Sequence, residues 1–305
     1  MALGSGIGKL LTPTLTLVAA ATVLLAANQA VGGEIDLAIN ASPGISKDVV
    51  GDVGGTAVFA DNWSQPTGTG VFKPFLTLDS NGQTSTGNTA IESAYNTDGA
   101  PLYLDELRNH WNTLLKVGDL QEVNGYYQFI LDANEPGQGK SLISIDNIRI
   151  YTSDKDNTAN VANNITKLDD LGKLRWAMND KLSEGAPVDL NGFNVETWVK
   201  LDSDQNNNDG SKANGGSGQG DMIVNIPVGA FGDALDSDYV WFYNLNGVHY
   251  TADGDLAAEA GFEEWKALVG PNQVPDGGNT LVLFGTAIAA LGVLAQRRKV
   301  ASVVA

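Results

Sequence analysis

The chain has 305 residues, 43% of them hydrophobic, with six Trp, no Cys, and 18 basic against 36 acidic residues for a net charge of −18. That is enough apolar material for one large or two small folded domains, and the lack of cysteine excludes disulfides, thiolate metal sites and Cys nucleophiles. So acidic a surface repels phosphate backbones, which excludes nucleic acid as a partner, and it attracts cations.

At the amino end, Lys9 precedes an uncharged apolar run over 10–27 that closes on small residues, the make-up of a secretory signal peptide. Residues 1–30 are therefore read as that peptide, cleaved after Ala27 or Ala30, with an uncleaved membrane anchor as the rival reading. The intervening segment 31–275 holds 14 basic and 35 acidic residues, a charge of −21. An exported domain of this kind is stable by packing or by bound calcium.

From Val31 onward, turn signals such as Gly32-Gly33, Gly54-Gly55, Asn124-Gly125 and Pro136-Gly137 separate β-branched and aromatic runs, and that punctuation predicts many short strands. The clearest lie at 56–60, 72–78, 126–131, 142–151, 174–178, 193–201, 221–227, 238–244 and 261–268. Within 142–151 neither face is purely apolar, so this run reads as a central strand with one polar notch. Residues 102–115 carry leucines at helical spacing but also Asn109, Asn112 and Thr113, which leaves helix and loop equally open there. Residues 154–164 are polar and rich in Asn and Asp, which predicts an exposed loop, with a hinge at 153–166. Regular turns without long amphipathic helices favour an all-β fold, an antiparallel β-sandwich of jelly-roll-like type spanning 31–270.

Candidate chemistry is sparse. Asp202, Asp204, Asn206, Asn208 and Asp209 alternate in a hydrophilic excursion between two strands, and such a loop can wrap oxygen ligands around Ca2+. Counted from Asp202, the sixth and twelfth positions are Asn207 and Ala213 rather than Gly and Glu, so the loop is not an EF-hand; a solvated loop without metal is the plainer reading. Asp146 is the second candidate ligand, in a short run similar to a late strand of jelly-roll carbohydrate-binding modules, where such an Asp helps hold calcium. Trp63, Tyr95, Tyr126, Trp198 and Trp241 are candidates for stacking against sugar. No cofactor is required, a structural Ca2+ being optional. No catalytic set is legible: His110 and His249 stand far apart, no Gly-x-Ser-x-Gly elbow occurs, and the adjacent Glu263 and Glu264 point to opposite faces of a strand. The chain is therefore expected not to be an enzyme.

The last stretch is the most specific. Val274, Pro275, Asp276, Gly277 and Gly278 form a turn-prone motif, an uncharged span follows at 280–296, and Arg297, Arg298 and Lys299 close it. Sixteen helical residues from Thr280 to Ala295 would cover about 24 Å, a little short of a hydrocarbon core. The basic cluster belongs on the cytoplasmic side and places the preceding domain outside. This order of signals resembles the PEP-CTERM class of bacterial sorting signals, most closely the variant that begins Val-Pro-Asp-Ser-Gly, from which it differs by Gly277 in place of Ser. The resemblance implies transient anchoring by the 280–296 helix, cleavage by an exosortase-like membrane protease and delivery to the cell surface or extracellular matrix. Residues 68–76, 126–132 with 144–150, 217–227 and 261–265 resemble, in that order, the uncharacterised β-rich ectodomains found upstream of such signals. A polysaccharide partner is the expectation that goes with the glycan-binding alternative.

Overall fold

A computed structural model describes residues 32–38, 45–61, 73–79, 90–135, 141–180, 195–203, 220–258 and 261–270. Within them run fourteen strands: β1 (Glu34–Asp36), β2 (Ser46–Val50), β3 (Thr56–Asp61), β4 (Leu76–Leu78), β5 (Glu92–Tyr95), β6 (Leu115–Lys116), β7 (Glu122–Val123), β8 (Tyr126–Asp132), β9 (Leu142–Ser153), β10 (Lys173–Ala177), β11 (Trp198–Asp202), β12 (Met222–Pro227), β13 (Tyr239–Asn246) and β14 (Glu263–Ala267). They form two sheets. The first has the order β1-β11-β9-β13-β5, with β10 also on β9 and β6 on β13; the second has the order β2-β3-β12-β8-β14-β4, with β7 on β8. The expectation of a wholly antiparallel arrangement is corrected at one ladder, since β1 runs parallel to β11.

The apolar faces of both sheets share one core. Phe242 of the first sheet sits 5.1 Å from Phe129 and 4.7 Å from Trp265 of the second, ring centre to ring centre. Asn124 and Gly125 both have positive φ, which matches the twist of the tight hairpin joining β7 to β8.

Strand β9 carries the polar notch, and its register explains it. Ile143 and Ile145 face the core, and so do Ile148 and Ile150, so the two-residue alternation slips by one in between. The slip is visible in the pairing with β13, where Leu245 stands opposite Asn147 but Asn246 stands opposite Ile145. Asp146 is the extra residue of a β-bulge. On the other edge of β9, β11 covers the first half and β10 the second, which leaves a gap at the bulge. Two carboxamides fill it. Asn147 Nδ2 donates to the Asn179 carbonyl (3.0 Å), while Asn179 Nδ2 donates to the carbonyls of Asp146 (2.8 Å) and Thr197 (2.7 Å). Backbone groups that lose their ladder partner are thus satisfied by side chains, as burial requires.

The outer face of the first sheet is covered as well. Tyr151, Trp241, Tyr243 and Leu245 pack there against Val161, Ile165, Leu168 and Leu171. These four come from a helical turn, α1 (Thr158–Val161), and a 3-10 stretch at Ile165–Leu171. The exposed loop expected over 154–164 is corrected accordingly: Val161 and Thr158 are buried, and polar composition concealed a short amphipathic cover. Arg149, buried, ties this cover to the sheet through Asp169 (3.0 Å) and also reaches Asp180 beyond β10 (2.9 Å). Residues 102–115 hold turns and bridges instead of a helix. There the segment serves β4 with both side chain and backbone, Thr77 N donating to the Asn112 side-chain oxygen Oδ1 at 2.7 Å and Leu107 N to the Thr77 carbonyl.

Candidate functional site

The polar outer face beside β11 gathers several of the candidate side chains. Val199 and Leu201 enter the core, so alternation turns Trp198, Lys200 and Asp202 outward. Gly247, at φ +84°, makes the turn after β13; a Cβ there would meet the Ala90 carbonyl oxygen at 2.0 Å, so only glycine fits. That turn brings His249 over the bulge. Its ring stacks on Trp198 with centroids 4.3 Å apart and planes 14° from parallel.

Asp146 holds the arrangement. Its Oδ1 lies 2.6 Å from His249 Nδ1, and its Oδ2 accepts from Val248 N at 2.6 Å and from Ser144 Oγ at 2.9 Å. A fully buried carboxylate with three donors is satisfied by the protein. The bond to Nδ1 assigns that nitrogen the proton of the neutral ring and makes Nε2 the acceptor. Lys200 extends the polar face, its Nζ 3.5 Å from Asp36 and 3.9 Å from Glu34. Chemically, the face offers a half-buried ring stack flanked by hydrogen-bonding groups. The Ser144 hydroxyl donates to Asp146 and not to the imidazole, so this trio is not wired as a nucleophile relay.

Of the residues singled out from sequence, Asp146 is brought together with His249, a partner 103 positions away. Asp202 ends β11 at the rim of the same face. Burial first, and then the charges of Asp132 and Asp202, push the Asp221 carboxyl well above the usual carboxylate range. Asp204, Asn206 and Asp209 lie outside the described residues, as do Trp63, Val274, Pro275, Asp276, Gly277, Gly278, Arg297, Arg298, Lys299, the signal peptide and the span at 280–296. Among the described residues no three His, Cys, Asp or Glu side chains are arranged to hold a metal ion, and no helix is long and apolar enough to cross a membrane. Two of the sugar-stacking candidates are corrected: Tyr95 and Trp241 are fully buried beneath the helical cover. Trp198 and Tyr126 are half-buried. His249 had no local signal in the sequence; only the run Ile145-Asp146-Asn147-Ile148 hinted at a site.

Residues 273–300 match a family of C-terminal motifs. The C-terminus carries a VPDSG-CTERM motif. VPDSG-CTERM is a variant of the PEP-CTERM-like exosortase sorting signals, so the resemblance read from Val274 to Gly278 and from Arg297 to Lys299 holds over the whole tail, Gly277 included. The motif is that of an exported protein, anchored transiently in the membrane and processed by an exosortase-type enzyme. No curated protein and no solved structure matches the chain.

Proposed function

We propose that the protein is a non-catalytic component of the cell surface or extracellular matrix, held in the inner membrane with its C-terminus cytoplasmic until an exosortase-like protease releases it. The VPDSG-CTERM match at 273–300 carries this reading. The jelly-roll-like sandwich is a passive, durable scaffold, and the charge of −21 on residues 31–275 draws water and cations into a polymer matrix. A structural Ca2+ at Asp202, Asp204, Asn206 and Asp209 belongs to the same proposal. The test is the intact mass of protein recovered from the cell surface. Its C-terminus is expected near Val274 to Gly278; surface protein that retains Arg297, Arg298 and Lys299 would refute the release step.

A second reading, a carbohydrate-binding module for exopolysaccharide, is favoured by the Trp198–His249 stack on the polar outer face, because sugar faces pack on aromatic rings with polar groups at the edge. Polysaccharide pull-down separates the two. Saturable binding that Trp198→Ala abolishes supports the module; retention equal in wild type and variant leaves the matrix component alone.

A further inference from the structure

At one end of the shared core, three strands from both sheets turn oxygen atoms inward. Glu92 of β5 alternates in phase with the core residue Ala94, Asn246 of β13 with Phe242, and Glu263 of β14 with Trp265 and Ala267. All three polar side chains are buried, Glu92 and Asn246 completely. Asn246 Nδ2 donates to Glu92 Oε1 at 2.8 Å, and the two glutamate carboxyls lie within hydrogen-bonding reach of each other. Three further oxygens, Glu92 Oε2, Glu263 Oε1 and Asn246 Oδ1, are buried and meet no donor.

The surroundings sharpen the problem. Asp105 adds its negative charge to Glu92, while Asp79 and Glu135 add theirs to Glu263. Glu106, buried nearby beside Leu78, adds another carboxyl to this corner. Burial above all pushes the Glu92 carboxyl well up and Glu263 up to about 8. Removing a carboxylate from water without a counter-charge costs several kcal/mol. Acceptors facing acceptors need either protons or a cation between them.

We propose that Glu92, Glu263 and Asn246 form a calcium site that bridges the two sheets. The two carboxylates neutralise a divalent ion and supply up to four oxygens, and the Asn246 carbonyl adds a fifth; a carboxamide is needed as the third side chain because the described residues offer no third carboxylate or imidazole with ligand spacing. Two oxygens bound to one Ca2+ at about 2.3–2.6 Å stand at the separation of hydrogen-bonded carboxyls, and backbone carbonyls or water complete the six to eight ligands. Mg2+ fits poorly, because it demands a strict octahedron and keeps several of its waters, whereas these three side chains are buried. The ion ties edge strand β5 of the first sheet to β14 of the second, the kind of tie a disulfide makes in other exported domains and one that a chain without cysteine lacks.

Thermal unfolding of the full chain in mild detergent at about pH 8 tests this. With Ca2+ near one hundred times its Kd, the wild type is expected to gain roughly 5–10 °C in Tm over the chelated protein, and Mg2+ to give no such gain. Glu92→Gln and Glu263→Gln should lose the gain yet match or exceed the wild type in chelator, since one repelling charge is gone, while Asp202→Asn should keep it. No gain in the wild type, or an equal gain in both glutamine variants, would overturn the proposal. Should those variants fail to fold, Tb3+ bound to the wild type provides the second readout: luminescence sensitised by Trp265, two residues from Glu263 on the same face, is expected and should drop in Trp265→Phe. Absent or undiminished luminescence would also overturn it.

Discussion

Asp146 is a buried carboxylate whose partners are an imidazole, a hydroxyl and a backbone amide. Replacing it by Ala leaves those donors without an acceptor, and each buried donor so stranded costs on the order of 1–3 kcal/mol. Asp146→Ala is therefore expected to lower the urea midpoint clearly, and Asp146→Asn to recover part of the loss through its remaining carbonyl oxygen. An Ala variant as stable as the wild type would mean that Val248 and His249 find other acceptors. At this scale the sequence singled out Asp146 as a candidate calcium ligand, and the structure gives it protein partners. Its partner His249 is set by the register of β9 against β13 and by the turn at Gly247, which no local pattern encodes. The same holds for Glu263. Its opposition to Glu264 across the strand follows from alternation alone, and the core position of Trp265 agrees with it. Its pairing with Glu92 follows only from the stacking of two sheets.

Among the elements, legibility tracked length and periodicity. Long alternating runs such as β8, β9, β12 and β13 were placed to within two residues or so of their observed ends. The short strands β1, β2, β5, β6 and β7 were not foreseen, because two to five residues contain too few alternations to rise above loop composition. Two segments are instructive, one read only in part and one left open between helix and loop. In 154–164 the apolar residues that matter are few, and three of the four residues that cover Tyr151 and Tyr243 lie beyond it, at Ile165, Leu168 and Leu171. In 102–115 the leucine spacing suited a helix, but the segment's backbone groups are recruited by the neighbouring β4, and a tertiary partner outweighs a weak intrinsic propensity. The bulge in β9 was present in the sequence all along, as the three-residue step from Ile145 to Ile148 between two-residue steps on either side.

Across the whole molecule, the carboxyls set an unusual response to pH. Burial pushes Glu106 and Glu263 up to about 8 and Glu264 up to about 7, and it raises Glu92 and Asp221 as well. In the unfolded chain these groups release their protons near the ordinary values, about 4.5 for the glutamates and 3.8 for Asp221. Between that value and about 8 the folded state binds more protons than the unfolded one, so stability falls as pH rises through the window and levels off above it. Asp233 runs the other way, lowered by Lys173 and Arg175, but it lies at the surface, where ion pairs contribute little. In chelator, Tm is expected to decline steadily from about pH 5 to about pH 8, and saturating Ca2+ should flatten the share due to Glu92 and Glu263. A Tm that climbs over that range would contradict the burial of these groups.

Two kinds of information are therefore separable in this protein. The sequence by itself determined the strand-rich class, the acidic surface and above all the tail that runs from Val274 to Lys299, because composition, two-residue alternation and a contiguous motif are local and survive without a fold. Tertiary structure alone decided which polar groups meet: His249 with Asp146 on the outer face, Glu92 with Glu263 and Asn246 in the core. Those contacts span 103 to 171 positions and arise from register, a one-residue bulge and the facing of two sheets, where a shift of a single residue would turn each side chain the other way.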